Sequence, residues 1–152
     1  MSEIEIWVKA NDDPSQKVKE GLEKVKSGSE DYLCVFVYGV GLGKVEATFK
    51  ALVLYNAVSL VQRLNLGYNN LSEFPMSVLM FVNLEALFIY NNLFTTLPSE
   101  ILKLVKLKEL YLDKNAFSTI PPFLAQLKQL ERLSVHGELC VCVCVCVCVC
   151  VE

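Results

Sequence analysis

Catalytic and metal-binding residues are scarce in this sequence. The 152 residues include a single histidine, His136, and only one cysteine, Cys34, outside the C-terminal tail. One histidine at the end of the patterned region does not supply a nucleophile, base and acid set, and neither HExxH nor CxxC spacing occurs. Cys34 lies inside an apolar run and is predicted to be a buried small hydrophobe. We therefore predict no enzyme activity, no metal site and no cofactor.

Charge and long hydrophobic runs are also limited. Only 20% of the residues are charged and the net charge is −3, which disfavours a general nucleic-acid or anionic-membrane surface. No run approaches the ~20 apolar residues of a membrane helix, and the start lacks a signal-peptide pattern. We expect neither a membrane nor a small-molecule substrate among the partners.

What the chain does contain is a regular repeat in its second half. Copies of one pattern begin at Leu64, Leu87 and Leu110, and a fourth begins at Leu133 and then fails. The first three copies carry an asparagine at one phase, namely Asn69, Asn92 and Asn115, so the pattern is a 23-residue repeat. A fixed period with apolar residues at fixed phases indicates a solenoid.

Within one copy, the alternation of apolar residues predicts a strand. Leu87 and Ile89 are predicted to point into the core, and Phe88 and Tyr90 to point outward. Pro98 then fixes the backbone before residues at helical spacing return along the other side. The further inward positions predicted for this copy are Leu93, Leu97, Ile101, Leu104 and Leu107.

The pattern Leu-x-x-Leu-x-Leu-x-x-Asn-x-Leu resembles the leucine-rich repeat, and Leu-x-x-Leu-Pro at this spacing resembles its intracellular, Ras-group type. The resemblance implies that each asparagine bonds backbone groups inside its turn and that a concave parallel sheet binds proteins. With no paired cysteine cap, it also implies a cytoplasmic location. The fold class is therefore α/β: a short solenoid over residues 61–138, preceded by a small β-α-β-α cap or domain over residues 1–60.

The outward strand positions stack into three columns that form the candidate partner site. Aromatic and arginine side chains are the usual anchors of interfaces, although single surface aromatics also occur without function. We predict a protein-interaction module, a fragment of an intracellular signalling or scaffold protein. The columns are Arg63, Ala86, Glu109 and Arg132; Asn65, Phe88, Tyr111 and Ser134; and Gly67, Tyr90, Asp113 and His136. The predicted partner-binding residues are Arg63, Asn65, Phe88, Tyr90, Glu109, Tyr111, Asp113 and Arg132.

The first sixty residues lack the phase of the repeat and predict the order β-α-β-α. A strand with inward Ile4, Ile6 and Val8 precedes a helix with Asp13 as its N-cap, Pro14 at its first position and Gly28 at its end. A buried strand over residues 32–38, a flexible loop over residues 39–43 and a second helix over about residues 44–61 follow. This second helix is predicted to turn Val45, Phe49, Leu52 and Val53 to one side.

The glycine loop raises two further hypotheses about function. A P-loop does not fit, because Tyr38 fills the position of its first glycine and Val45 replaces the hydroxyl residue that would bind magnesium. The order β-α-β-glycine-α weakly resembles Alba-type nucleic-acid-binding domains, whose loop is basic. Here the loop offers only Lys44, and residues 1–60 hold seven Lys/Arg against nine Asp/Glu. RNA binding by this region is the alternative function.

Residues 139–152 form a low-complexity tail in which six cysteines alternate with valine from Cys140 to Cys150. One interpretation is a metal-binding or redox tail, but in an extended chain the thiols lie about 7 Å apart, too far for one ion to collect four. A second is an added strand on the last repeat. A third, which we favour, is a translated dinucleotide repeat in a chain truncated within its fourth copy, where Glu138 holds the asparagine phase.

Overall fold

The computed structural model describes residues 2–25 and 31–135. Gly28, His136, Glu138 and the cysteine-valine tail lie outside the described residues, and the predictions made for His136, Glu138 and the tail stay predictions. The described chain is α/β, with one six-stranded sheet, two α-helices and four short 3-10 helices. The strands are β1 (Glu3–Val8), β2 (Tyr32–Val37), β3 (Val61–Asn65), β4 (Ala86–Phe88), β5 (Glu109–Tyr111) and β6 (Arg132–Ser134). The helices are α1 (Pro14–Leu22), α2 (Gly41–Leu54), η1 (Val58–Leu60), η2 (Met76–Met80), η3 (Ser99–Lys103) and η4 (Pro122–Gln126).

All six strands run parallel and pair in the order of the chain, from β1 to β6. Across the first three strands the pairing joins Glu5 to Cys34 and Cys34 to Arg63. From Arg63 onward the pairing joins Arg63 to Ala86 and Ala86 to Glu109. The number of residues from one paired position to the next is therefore smaller here than in the first three strands, and it equals the period of the repeat. The longer connection between the first three strands accommodates an α-helix. The shorter connection between the later strands leaves room only for a 3-10 helix, which spans the same distance with fewer residues because it rises faster per residue.

The helices form a second layer on one face of the sheet. Helix α1 packs on β1 and on α2, α2 contacts η2, and η2, η3 and η4 follow one another. A single hydrophobic core fills the space between the layers. Its central row consists of paired strand residues that are almost fully buried, namely Ile6, Val35, Leu64, Leu87 and Leu110. The burial of this apolar surface is the main stabilising contribution to the fold.

The sequence alternation predicted several of these features correctly. The order β-α-β-α of the first sixty residues is confirmed, as are the inward Ile4, Ile6 and Val8. Asp13 caps α1 by accepting a hydrogen bond from the Ser15 amide at 2.9 Å. The helix ends at Leu22, earlier than predicted, because the chain turns after Glu23 and places Val25 against the core.

The prediction that Leu93 points inward is wrong. Its side chain is 53% exposed, while the next residue, Phe94, is fully buried. Asn92 is buried, Leu93 is exposed and Phe94 is buried, so successive side chains alternate between the two sides here. Since the Asn92 side chain is buried inside the turn, Leu93 faces solvent and Phe94 returns to the core. Leu71 and Phe117 hold the position of Phe94 in the other two copies and are also buried.

The bounds predicted for the second helix are also wrong. Helix α2 begins at Gly41, whose φ of 70° allows the chain to turn sharply out of β2. It ends at Leu54, and Asn56 at φ 53° breaks the helical path before β3. Val45, Phe49 and Leu52 are buried as predicted, but Val53 is 53% exposed because it lies one residue beyond the buried stripe.

Replacement of Phe94 by alanine should lower the free energy of unfolding by about 3–5 kcal/mol, because it removes a buried ring and leaves a cavity. Replacement of its neighbour Leu93 by alanine should change it by less than about 0.5 kcal/mol. Urea unfolding followed by circular dichroism measures both. Equal losses in the two variants would contradict the assignment of Phe94 to the core.

Candidate functional site

The candidate site is the outward face of the sheet, which is the face opposite the helical layer. No other element of the described chain packs on this face. The pairing register aligns one outward residue from each strand across the sheet, at the position of Phe88 in β4. This central column consists of Trp7, Phe36, Asn65, Phe88, Tyr111 and Ser134.

Two pairs of stacked rings dominate the central column. The rings of Trp7 and Phe36 lie 4.1 Å apart between centroids and 5° from parallel, and form the first stack. The rings of Phe88 and Tyr111 lie 4.7 Å apart and 13° from parallel, and form the second stack. Neighbouring strands are about 4.8 Å apart, so residues in register hold flat rings at a stacking distance without distortion. Each stack is therefore fixed by the pairing of its two strands.

A cluster of three tyrosines lies beyond the carboxyl ends of the strands on the same face. The hydroxyl oxygens of Tyr38 and Tyr90 are 2.8 Å apart, and the Tyr68 ring stands edge-on to the Tyr90 ring at 5.5 Å. Gly67 makes room for this arrangement, since a Cβ there would lie 2.8 Å from the Tyr90 ring. Burial, and then the hydrogen bond with Tyr90, raise the pKa of the Tyr38 hydroxyl above its ordinary value.

A row of charged side chains runs beside the second stack. Glu109 lies 3.6 Å from Arg63 and 3.2 Å from Arg132 between nitrogen and oxygen atoms, so one carboxylate serves two guanidinium groups. Arg63 also stands over the Phe88 ring at 5.3 Å, and Arg132 donates to the Tyr111 hydroxyl at 3.3 Å. Ion pairs this exposed contribute little to stability, and their clearest effect is to orient the side chains around the rings.

Cys34 occupies the same row but does not reach the surface. Its side chain is fully buried, as the sequence predicted. Burial, and then a hydrogen bond with Glu3, raise the pKa of the thiol well above its ordinary value. A thiol that stays protonated is a poor nucleophile, so this residue is unsuited to catalysis.

The eight predicted partner-site residues all belong to the outward face between β3 and β6. Six of them lie within these strands, while Tyr90 and Asp113 are the second residues after the ends of β4 and β5. Asp113 accepts a hydrogen bond from the Ser134 hydroxyl at 2.8 Å. Asn65 differs from the others, because it is only 7% exposed.

Four aromatic residues of this face were not predicted from the sequence to belong to the site. They are Trp7, Phe36, Tyr38 and Tyr68, and Trp7 and Tyr68 are well exposed. The alternation within β1 already placed Trp7 opposite Ile6 and Val8, so its outward direction was available from the sequence. What the sequence did not reveal is that β1 and β2 continue the sheet of the repeats and bring their rings to the same face.

The asparagines of the repeats lie inside the turns and bond the backbone of two units at once. The Asn92 amide oxygen accepts from the backbone nitrogens of Asn69 (3.1 Å) and Leu71 (3.0 Å) of the preceding copy. Its amide nitrogen donates to the carbonyls of Leu66 (2.9 Å) and Ile89 (3.0 Å). Asn115 makes equivalent bonds with Phe94, Ile89 and Leu112.

Asn69 extends this arrangement to the N-terminal region. Its amide oxygen accepts from the Val40 amide at 2.9 Å, and its amide nitrogen donates to the carbonyls of Val37 and Leu66. The end of β2 and the start of α2 are therefore tied to the first copy of the repeat. These bonds satisfy backbone groups that the turns would otherwise leave buried without partners.

The described part of the chain contains no group of three or more His, Cys, Asp and Glu side chains able to hold a metal ion. Among the helices of residues 2–25 and 31–135, none is long and apolar enough to cross a membrane.

Comparison with known families supports one copy of the repeat. A family model described as the leucine-rich repeat matches residues 106–127, which include β5, Asn115 and η4. No curated protein matches the chain. The chain thus contains a leucine-rich repeat, and repeats of this kind generally serve in protein interaction.

Replacement of Asn92 by alanine should lower the free energy of unfolding by about 3 kcal/mol or more, because several buried backbone groups of two units lose their partner. Asn83 provides a matched control, since its amide bonds only the Ser59 carbonyl and the Lys106 ammonium at an exposed position. The alanine variant at Asn83 should lose less than about 1 kcal/mol. Urea unfolding compares the two variants, and similar losses would contradict the role assigned to Asn92.

Proposed function

We propose that this chain is a protein-interaction module that binds its partner through the outward face of the sheet. In this proposal the repeats form a short leucine-rich-repeat solenoid, the outward face is its concave side, and residues 1–60 are its N-terminal cap. The observation that carries the proposal is the concentration of two ring stacks and three tyrosines on one face, which no other described element covers.

The physical character of this face suits protein recognition. Aromatic side chains supply large contact areas and have few rotatable bonds, so binding costs little side-chain entropy. Here the stacking and the tyrosine hydrogen bond already restrict the rings before a partner arrives. Tyrosine, tryptophan and arginine are also the residues that most often dominate binding energies. The outward face combines all three types in Tyr111, Trp7 and Arg63.

We further propose that the chain acts without catalysis, in the cytoplasm, as part of a signalling or scaffold protein. The support comes from the sequence: a single histidine, the Leu-x-x-Leu-Pro type of repeat and the lack of a paired cysteine cap. RNA binding by the N-terminal region has less support. The Lys44 ammonium, the only cation of the glycine loop, is engaged with the Asp12 carbonyl, and Glu3 and Glu5 lie beside the first stack.

The test is an affinity pull-down with the whole chain, comparing the parent with three variants. Trp7→Glu and the pair Phe88→Glu with Tyr111→Glu place charges in the first and second stacks. Both should reduce retention of a specific partner by about tenfold or more, the loss typical of residues that anchor an interface. Circular dichroism should first establish that each variant is folded.

Leu54→Glu is the matched control, because Leu54 is the most exposed apolar side chain of the helical layer at 74%. This variant should retain the partner, and retention should change little as salt rises from about 50 to 200 mM. Loss of the partner in the Leu54 variant alone would move the interface to the helical layer. A steep loss with salt would indicate nucleic acid, and either outcome would contradict the proposal.

A further inference from the structure

The central column of rings is interrupted at β3. Trp7 and Phe36 form one stack and Phe88 and Tyr111 the other, but the strand between them carries Asn65. Phe36 and Phe88 stand two strand spacings apart, which is roughly 9.6 Å. A flat ring halfway between them would lie about 4.8 Å from each, within the range at which aromatic rings stack.

A cavity occupies this gap. Its volume is about 470 Å³, and its lining includes Phe36, Asn65, Phe88, Glu3 and Arg63. Asn65 is held at the floor, where its amide oxygen accepts from the Gly67 amide at 2.9 Å. This bond keeps the short side chain low between the two stacks.

The charges at the rim distinguish between the flat groups that could enter. Arg63 already stands over the Phe88 ring, so an incoming guanidinium would meet a like charge. A neutral ring would instead stack on both phenylalanines after displacing Arg63, which covers the Phe88 face opposite Tyr111. The Glu3 carboxylate lies at the same cavity and could accept a hydrogen bond from a hydroxyl or indole N–H.

We propose that the gap at Asn65 receives one aromatic side chain, tyrosine or tryptophan, that projects from the protein partner. The inserted ring joins the two stacks into a single column of five rings, from Trp7 to Tyr111. The inference rests on the proposed function, because the ring belongs to a partner on the outward face. It adds the chemical class of the residue recognised and the place where it is bound.

The experiment titrates the full chain with blocked tripeptides and follows binding by NMR chemical shifts. The probes are acetyl-Gly-Trp-Gly-amide and acetyl-Gly-Tyr-Gly-amide, with the arginine and leucine analogues as comparisons. The two aromatic peptides should shift the resonances of Phe36, Asn65 and Phe88 and bind more tightly than both comparisons. Asn65→Phe fills the gap with the chain's own ring and should weaken aromatic binding by about tenfold or more.

Ser134→Phe is the matched control, since it adds a ring to the same column beyond Tyr111 and leaves the gap open. It should bind the aromatic peptides as the parent does. Phe88→Leu removes one wall of the gap while keeping an apolar side chain, and it serves as a second test if Asn65→Phe does not fold. It should also weaken aromatic binding.

Three outcomes would overturn the inference: no aromatic binding by the parent, undiminished binding in both gap variants, or tighter binding of the arginine peptide. Its failure is distinguishable from failure of the proposed function. If Asn65→Phe keeps a partner that the Phe88 and Tyr111 double variant loses, the interface stands and the gap is not its anchor. If the aromatic peptides bind the gap but no protein partner is retained, the proposed function fails instead.

Discussion

The hydrogen bonds of the turn asparagines are the constraint on which the rest of this structure depends. Each of these asparagine side chains bonds the backbone of its own unit and of the unit before it, so consecutive turns are held in alignment. Asn69 continues these bonds to Val37 and Val40, and thus joins the first sixty residues to the repeats. Because the turns are aligned, the strands that precede them pair without a shift of register.

That register determines the character of both faces of the sheet. A shift of one residue would exchange every inward and outward side chain of a strand, so the leucines of the core and the rings of the surface depend on the same pairing. The inward row is uniformly apolar and almost fully buried from Ile6 to Leu110. The outward column carries rings on β1, β2, β4 and β5, and its one interruption between them is Asn65, bonded to Gly67. The interruption creates the cavity between the two stacks, so the candidate anchor site follows from a single short side chain.

Much of the fold could be predicted, because periodicity reports burial directly. The strand of each repeat, the buried leucines and the inward asparagines follow from alternation and from the constant period of the repeat. The errors arose where the period is locally broken. Leu93 is apolar but faces solvent, since Asn92 occupies the inward position before it and Phe94 the one after it. The second helix was predicted too late in the chain because Gly41, taken as part of a loop, begins the helix with a positive φ.

The sequence by itself determined the repeat, the direction of its side chains and the outward position of Phe88, Tyr90 and Tyr111. These features depend on local chain geometry, in which the side-chain direction at each residue follows from its neighbours. Only the tertiary structure decided that β1 and β2 join the same sheet. The number of residues from one paired position to the next is larger there than the period of the repeat. Strand pairing is a contact between distant residues, and no local period in the first sixty residues encodes it. Three features follow from that pairing. Trp7 stacks on Phe36, Tyr38 contacts Tyr90, and a gap opens at Asn65 between the two stacks.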